Sequence, residues 1–238
     1  MPTLVVLPTY NEILNVVPML RSLRTVVPDA TILVVDDSSP DETAAAAQEV
    51  ANELGSIFLL ERATKDGLGG AYRAGFSWGI AKGYDRFVEI DCDFSHDPES
   101  LPSLLAASKS ADVVIGSRYV PGGQIPNWAF SRRILSRSGN RYASFALGLQ
   151  VADATAGYRV YSAKALADID YATVRADGYG FQIEMTYRAR RAGLSIVEVP
   201  ISFSDRERGE SKMSGAIIVE ALLLVTAWAL QRPFRRYM

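Results

Sequence analysis

The sequence predicts an α/β fold, a doubly wound parallel sheet flanked by helices, over roughly residues 1–120. Short apolar runs rich in β-branched residues alternate along this part of the chain with longer segments whose apolar residues recur at helical spacing. The short runs are apolar at consecutive positions, which is typical of strands buried on both faces of a sheet. Such strands, alternating with helices, pair in parallel through right-handed crossovers.

Local signals place each element in chain order. The apolar runs predict strands at 4–7, 31–35, 57–60, 86–90, 113–115 and 196–199. The segments with helical spacing predict helices at 13–27, 41–54, 69–82, 98–107, 178–192 and 216–230. Ser39, Pro40 and Glu42 form an N-cap, a proline at the first helical position and a capping-box acid, so they mark the start of the second helix. Asp97 and Pro98 mark the start of the fourth.

The composition indicates a globular protein and excludes several classes of function. Of the 238 residues, 48% are hydrophobic, and the single cysteine, Cys92, permits no internal disulfide, so a core must supply the stability. The 25 basic and 27 acidic residues give a net charge of -2, and no nucleic-acid partner is expected. The lone histidine, His96, excludes a multi-histidine metal site. No signal-peptide pattern opens the chain, so we expect a protein that faces the cytosol.

Basic and aromatic residues are concentrated after the fifth strand. From Arg118 through Ala152 there are five arginines and no acidic residue, and aromatic side chains are interleaved among them. A solvated helix would explain the arginines alone. The uncompensated charge together with the aromatic residues favours a phosphate-bearing lipid or the headgroup layer of a membrane.

The last segment, 216–238, is apolar and then basic. Its apolar run is about 15 residues, whereas a membrane span needs roughly 20. Two alternatives stay open: a helix packed on the domain or on a partner subunit, and an amphipathic helix lying in the membrane interface.

Polar residues follow four of the predicted strands at the ends where ligands bind in open parallel sheets. These exits are Pro8–Glu12, Asp36–Ser39, Asp91–His96 and Gly116–Tyr119. Acidic residues gather at three of the four. Because neighbouring carboxylates repel one another unless a cation or hydrogen-bond donors compensate, the cluster indicates a binding site.

Two of these acid pairs have chemical interpretations. If the chain stays extended, Asp91 and Asp93 can reach one hard cation such as Mg2+ or Mn2+, which would stabilise a diphosphate leaving group. Alternatively, they only end a strand and cap the next helix. We expect Asp37 to contact the base or sugar hydroxyls of a nucleotide, although Asp36 and Asp37 also suit a turn.

Two loops carry glycine and charge. The segment Lys65–Gly70 lacks the spacing of a phosphate-binding loop, and we interpret its glycines as tight-turn and close-packing residues. The segment Arg206–Lys212 is either a solvated loop or a mobile lid that places Arg206 and Lys212 over a diphosphate.

Taken in order, the motifs resemble those of a known family. They are Pro8–Glu12, Val35–Asp41, Asp91 with Asp93, Gly116–Tyr119, and Arg206 with Gly209–Lys212. Together they look like a family 2 glycosyltransferase of the GT-A fold, specifically a dolichol- or polyprenol-phosphate mannose synthase. The resemblance covers about 4–215, nearly the whole chain.

The resemblance implies a GT-A, Rossmann-like, mostly parallel sheet in a catalytic domain at 1–215, followed by the segment 216–238 for contact with a membrane surface or a membrane-protein partner. The implied reaction moves mannose from GDP-mannose to dolichyl or polyprenyl phosphate, with inversion to a β-linked product and release of GDP, and needs Mg2+ or Mn2+. The chain resembles the short class without C-terminal transmembrane helices. It would then be peripheral on the cytosolic face of a membrane.

The resemblance also implies roles for individual residues. Guanosine would be held by Pro8, Tyr10, Glu12, Val35 and Asp37. Nucleotide and metal would be contacted by Asp91, Cys92 and Asp93, with Ser95 where some relatives place a glutamine ligand to the metal. Phosphate of the donor or the acceptor would be bound by Arg118 and by Arg132 or Arg133, and the diphosphate clamped by Arg206 and Lys212. The residues expected to act in catalysis are Asp93, Arg118, Arg206 and Lys212.

The chemistry of the residues agrees with this reaction. A polyprenyl phosphate is already anionic near neutral pH, so its attack needs no strong base, and positioning and charge stabilisation would carry catalysis. We expect His96 to pack or cap rather than act as a base. Two alternatives remain: a dolichyl-phosphate glucosyltransferase that uses UDP-glucose, and a non-catalytic subunit that binds nucleotide sugar or docks at membranes.

Overall fold

A seven-stranded sheet flanked by helices organises the molecule. The structure, a computed structural model, describes residues 1–206 and 215–231. The strands are β1 (Thr3–Thr9), β2 (Thr31–Asp36), β3 (Ile57–Glu61), β4 (Arg86–Glu89), β5 (Val113–Ser117), β6 (Arg159–Ser162) and β7 (Ile196–Pro200). The helices are α1 (Ile13–Val26), α2 (Thr43–Leu54), α3 (Gly67–Ala81), α4 (Leu101–Ala107), α5 (Phe130–Leu147), α6 (Ala163–Ile169), α7 (Gly178–Arg191) and α8 (Gly215–Leu230).

The strand order is β3-β2-β1-β4-β6-β5-β7, and every pairing is parallel except those of β6. The predicted mostly parallel, doubly wound sheet is confirmed. The sequence analysis missed β6, which has only four residues and starts with a charged one. Arg159 is fully buried, and its guanidinium donates to Ala154 O, Ala156 O and Thr186 Oγ1 at 2.7 Å each.

Two hydrophobic cores lie on the two faces of the sheet, because side chains alternate along each strand. In β1, Leu4 and Val6 join the core beneath α3, α5 and α7, whereas Val5 and Leu7 join the core beneath α1 and α2. Helix α3 lies close to the sheet because Gly75 faces it: a Cβ there would be 2.4 Å from Val6 Cγ1.

The predicted cap of α2 is wrong. The helix begins at Thr43, and the Glu42 before it has a left-handed backbone and makes no side-chain cap. Ser39 is used by the sheet instead: its hydroxyl donates to Asp36 Oδ1 at 2.6 Å and its N–H to Asp36 Oδ2 at 2.8 Å. Ser39 was predicted to cap α2, but it hydrogen-bonds the buried Asp36 carboxylate at the end of β2 instead. Asp97 does act as a cap, since its side chain accepts from Glu99 N, but it caps a 3-10 turn at Pro98–Ser100, and α4 begins only at Leu101.

The C-terminal helix is confirmed as α8, which packs on α5 and α7. Ala221 and Val225 are buried there, and Tyr142 of α5 hydrogen-bonds Thr226 at 2.7 Å. Val219, Leu222, Leu223 and Leu230 of α8 are exposed apolar residues, with Leu223 65% exposed. Within residues 1–206 and 215–231, no helix combines the length and apolar character needed to cross a membrane.

Candidate active site

The ends of β1 and β2 are joined by a buried carboxylate. Asp36 accepts hydrogen bonds from the Thr9 hydroxyl at 2.7 Å and from Ser39, and Asp37 N donates to Thr9 O at 3.1 Å. Asp36 thus holds the two strand ends together. This arrangement leaves its neighbour Asp37 as the acid available to a ligand.

Asp37 lies in a nearly buried position beside a cation. Its side chain is 6% exposed, and Arg62 Nη1 donates to its Oδ1 at 2.8 Å. Burial raises the pKa of Asp37, and the charge of Arg62 opposes that rise. Three of the other predicted guanosine residues lie at the same strand ends: Pro8 pairs with Val35 across β1 and β2, and Tyr10 follows β1 directly.

Two carboxylates pair with one guanidinium beyond the ends of β1 and β4, and a third lies near them. Arg206 lies 3.2 Å from Glu12 Oε1 through Nη1 and 2.9 Å from Asp93 Oδ2 through Nη2. Asp91 belongs to the same cluster: burial, and then the charge of Asp93, raise its pKa to about 7. Burial also acts on Asp93, but hydrogen bonds from Ser95 and the charge of Arg206 hold the pKa of Asp93 below its usual range.

This cluster fits a hard divalent cation. Glu12 and Asp93 pair with Arg206 and Asp91 lies near them, so acidic groups outnumber basic ones in this cluster, and oxygen donors are what Mg2+ and Mn2+ prefer. In the described part of the chain no group of three or more His, Cys, Asp or Glu side chains is arranged to hold a metal ion, so a cation bound by Asp91 and Asp93 would take its remaining ligands from substrate oxygens and water. Cys92 packs its side chain in a core, as expected of a residue offering only backbone here.

Ser95 and His96 support the cluster. Ser95 N donates to Asp93 Oδ1 at 3.0 Å, which orients that carboxylate. His96 is 2% exposed and packs between the rings of Tyr158 and Phe203, with centroids 5.3 and 5.1 Å away. Burial lowers the pKa of His96 to about 4, so the imidazole is neutral near pH 7. These contacts favour the packing role.

Arg118, predicted to bind phosphate, is held by an acid that the sequence analysis missed. Asp153 accepts from Arg118 Nε at 2.7 Å, from Nη2 at 2.6 Å and from the backbone N at 2.9 Å. Burial alone would raise the pKa of Asp153, but the charge and hydrogen bonds of Arg118 hold it below its usual range. The side chain of Arg118 is therefore fixed, with part of its donor capacity already used.

A cavity of about 460 Å3 opens beside Arg118. Its cationic lining consists of Arg118, Arg133 and Arg137, and the loop Pro121–Gly123 forms another side. Arg132 is not in its lining: it pairs with Asp205 at 2.7 Å and lies 4.0 Å from the centre of the Trp128 ring. Of the two predicted arginines, Arg133 therefore lines a cavity able to take an anion.

Besides the predicted residues at the ends of β1 and β2, which are Pro8, Tyr10, Val35 and Asp37, the structure forms two further groups. Glu12, Asp91, Asp93 and Arg206 form one, and Arg118 and Arg133 form the other. Lys212 lies outside the described residues. The sequence analysis missed Arg62, Arg137 and Asp153. Arg62 had a usable signal, since it directly follows β3 and polar residues that follow strands were candidates at the ends of β1, β2, β4 and β5.

The sequence of the chain is similar to those of known glycosyltransferases. The model of the family described as glycosyl transferase family 2 matches residues 4–170. Over 230 residues the chain is 54% identical to an undecaprenyl-phosphate mannosyltransferase of Micrococcus luteus, covering 97% of this chain and 95% of that protein. It is 48% identical to a polyprenol monophosphomannose synthase of Mycolicibacterium smegmatis, covering 96% and 87%.

Solved structures show the same fold. A Mycobacterium tuberculosis glucosyl-3-phosphoglycerate synthase bound to Mn2+, uridine diphosphate and glucosyl-3-phosphoglycerate superposes with a TM-score of 0.71 at 20% identity, covering 98% of this chain and 81% of that one. A mannosyltransferase of Pyrobaculum calidifontis bound to GDP-mannose and Mn2+ superposes with a TM-score of 0.65 at 16% identity, covering 97% and 64%.

Proposed function

The chain belongs to glycosyl transferase family 2 and is a glycosyltransferase, and from that premise we propose that it moves mannose from GDP-mannose to a polyprenyl phosphate, dolichyl phosphate included. The product is a polyprenyl-phosphate β-mannose, and GDP leaves. The observation that carries the proposal is the pairing of an acidic cluster with a separate cavity lined by three arginines. Relatives at 54% and 48% identity have names that describe polyprenyl-phosphate mannosyl transfer.

The acceptor phosphate binds in the arginine-lined cavity. Its oxygens take hydrogen bonds from Arg133 and Arg137, while Arg118, fixed by Asp153, supplies charge from a rigid position. Because the phosphate is already anionic, no general base is needed. This agrees with the position of His96, which is buried between aromatic rings and is not placed to act as a general base.

The donor binds over the acidic cluster. Asp37 accepts hydrogen bonds from the nucleoside, and Asp91 and Asp93 would hold a divalent cation, Mg2+ or Mn2+. A bound divalent cation supplies charge that stabilises the departing diphosphate. Arg206, paired with Glu12 and Asp93, contributes a further positive charge at that end of the site, and Lys212 is proposed to act with it.

A membrane surface on the cytosolic side brings the lipid acceptor. Phe130, Ile134 and Phe145 fall on one side of α5 at helical spacing, and Phe130 and Phe145 are 77% and 89% exposed. Helix α8 packs on α5 and carries further exposed apolar residues, and α5 itself carries arginines. We therefore assign catalysis to 1–215 and membrane contact to 216–238 together with α5; a membrane-protein partner is the alternative.

Transfer of labelled mannose tests the proposal. The chain is incubated with labelled GDP-mannose and a polyprenyl phosphate in detergent, with Mg2+, with Mn2+ or with chelator, beside a parallel UDP-glucose reaction. Metal-dependent, lipid-extractable label from GDP-mannose alone is expected. Label from UDP-glucose alone would assign the chain to the glucosyltransferase alternative, and GDP binding without any transfer would favour the non-catalytic one.

A further inference from the structure

The segment Lys65–Gly70 resembles a phosphate-binding loop, yet its helix end already holds a carboxylate. Helix α3 begins at Gly67, and Gly69 N donates to Asp177 Oδ1 at 2.8 Å. A Cβ at Gly67 would lie 2.0 Å from Asp177 Oδ2. The positive end of α3 therefore stabilises an acid of the chain itself, and a diphosphate cannot take the same place.

Another glycine of the segment makes room for Arg62. A Cβ at Gly70 would lie 2.8 Å from Arg62 Nη2 and 2.8 Å from Asp66 Oδ2. Arg62 and Asp66 themselves are 3.6 Å apart. The glycine thus permits the arginine to run along the start of α3 toward the end of β2.

Arg62 is fixed to the end of β2 by its backbone as well as its side chain. Its N–H donates to Asp36 O at 2.8 Å, and the Ser38 hydroxyl donates to its carbonyl at 2.6 Å. The guanidinium then meets Asp37 at 2.8 Å with a side chain only 15% exposed. A carboxylate held on one side by a partly buried guanidinium has a fixed orientation.

The same loop also reaches the end of β1. Lys65 Nζ lies 3.9 Å from the centre of the Tyr10 ring, within the range of a cation–π contact. Residues 62–66 therefore cover the strand ends that carry both Tyr10 and Asp37.

We propose that residues 62–66 form a wall of the nucleoside site, in which Arg62 is the positioning residue for Asp37 and Lys65 covers Tyr10. The ligand class is a nucleoside diphosphate, and the inference rests on the proposed use of a nucleotide-sugar donor. Asp37 accepts hydrogen bonds from the nucleoside, and Arg62 acts on the nucleoside only through that carboxylate.

Variants of the two cations test this wall. In Arg62→Met and Lys65→Met we expect the dissociation constant of GDP, measured by calorimetry, and the KM of GDP-mannose to rise about tenfold. The KM of the polyprenyl phosphate and kcat stay near their wild-type values. Arg62→Lys restores part of the binding. Two controls match the chemistry away from the site: Arg21→Met removes the exposed pair with Glu53, and Lys82→Met removes a lysine 5.8 Å from the Trp78 ring.

The outcomes separate this inference from the proposed function. Wild-type transfer of mannose with an unchanged KM in Arg62→Met and Lys65→Met overturns the wall and leaves the function standing. Binding of GDP or UDP that depends on Arg62, without mannose transfer, supports the wall and removes the function. The proposed wall is also overturned if GDP binding weakens equally in Arg21→Met and Lys82→Met, or if the wild-type chain binds none of GDP, UDP and ADP.

Discussion

Asp153 accepts three hydrogen bonds from Arg118, two from the guanidinium and one from the backbone, and both side chains are almost completely buried. The same arginine also donates to Thr155, whose hydroxyl accepts from Asn140 of α5 at 3.0 Å. Arg118 is thereby tied to the helix that carries Arg133 and Arg137. The relative placement of the three cations in the cavity depends on this network.

Asp153→Asn should destabilise the fold strongly. It leaves the buried Arg118 without a countercharge, and breaking a buried ion pair costs about 3–5 kcal/mol. Urea denaturation measures the loss. Asp205→Asn removes the half-exposed pair with Arg132 and should change stability by about 1 kcal/mol or less. If both variants lost only about 1 kcal/mol in the free energy of unfolding, Asp153 would not have the stabilising role inferred for it.

Asp93→Ala should lower mannose transfer by about 100-fold or more while the chain stays folded. Its removal loses the ion pair with Arg206 and the hydrogen bond from Ser95, but it also relieves the repulsion between Asp93 and Asp91, so the melting temperature should stay near the wild-type value. Activity and thermal melting are measured on the same preparation. A large fall in melting temperature would show instead that Asp93 serves the fold.

Arg133→Met and Arg137→Met should each raise the KM of the polyprenyl phosphate about tenfold, because each loses a charged hydrogen bond to phosphate. The dissociation constant of GDP should stay unchanged. Arg191→Met, which removes an arginine of α7 far along the chain from this cavity, is the matched control. Parallel loss of donor and acceptor binding in the two cavity variants would speak against an acceptor site there.

GDP binding should weaken as the pH falls, and earlier in Arg62→Met than in the wild-type chain. Burial raises the pKa of Asp37, and Arg62 opposes that rise, so loss of Arg62 raises it further. Protonation removes the acceptor, hence the acid limb of the binding curve moves to higher pH. Asp37→Asn is the control: position 37 cannot titrate in this variant, so its remaining pH dependence reports titration of GDP itself. Superimposable acid limbs in wild type and Arg62→Met would refute the coupling.

Gly75→Ala should destabilise the fold by about 1–3 kcal/mol, because the added methyl group would meet Val6 at 2.4 Å. Gly139→Ala is the contrasting change. Gly139 lies within α5, and a methyl group added there would meet no neighbouring group of the described chain within 4 Å, so alanine should stabilise by up to about 1 kcal/mol. Thermal unfolding of both variants measures the difference, and effects of the same sign would contradict the tight contact of α3 with the sheet.

The sequence predicted the features that depend on regular patterns. Apolar runs located all strands but β6, and the rule that ligands bind at strand ends located Asp37, Asp91 and Asp93. What it missed depends on contacts between distant segments. Arg159 gives β6 a charged first residue, and one of the partners that allow this arginine to be buried, Thr186, is 27 positions away in the sequence. Asp153, which pairs with Arg118, is 35 positions away from it. Ser39 met the rules of a helix cap but bonds Asp36 instead.

The reversed strand β6 lies between β4, whose end carries the acids, and β5, whose end carries Arg118. Two steps between neighbouring strands separate those ends, about 10 Å in all. The separation is set by backbone pairing on both sides of β6, not by any side chain of the site. Substitutions of the acids after β4 or of the arginines beside β5 therefore change what each of these two sites binds. They leave the distance between the donor site and the acceptor site unchanged, because the sheet sets that distance.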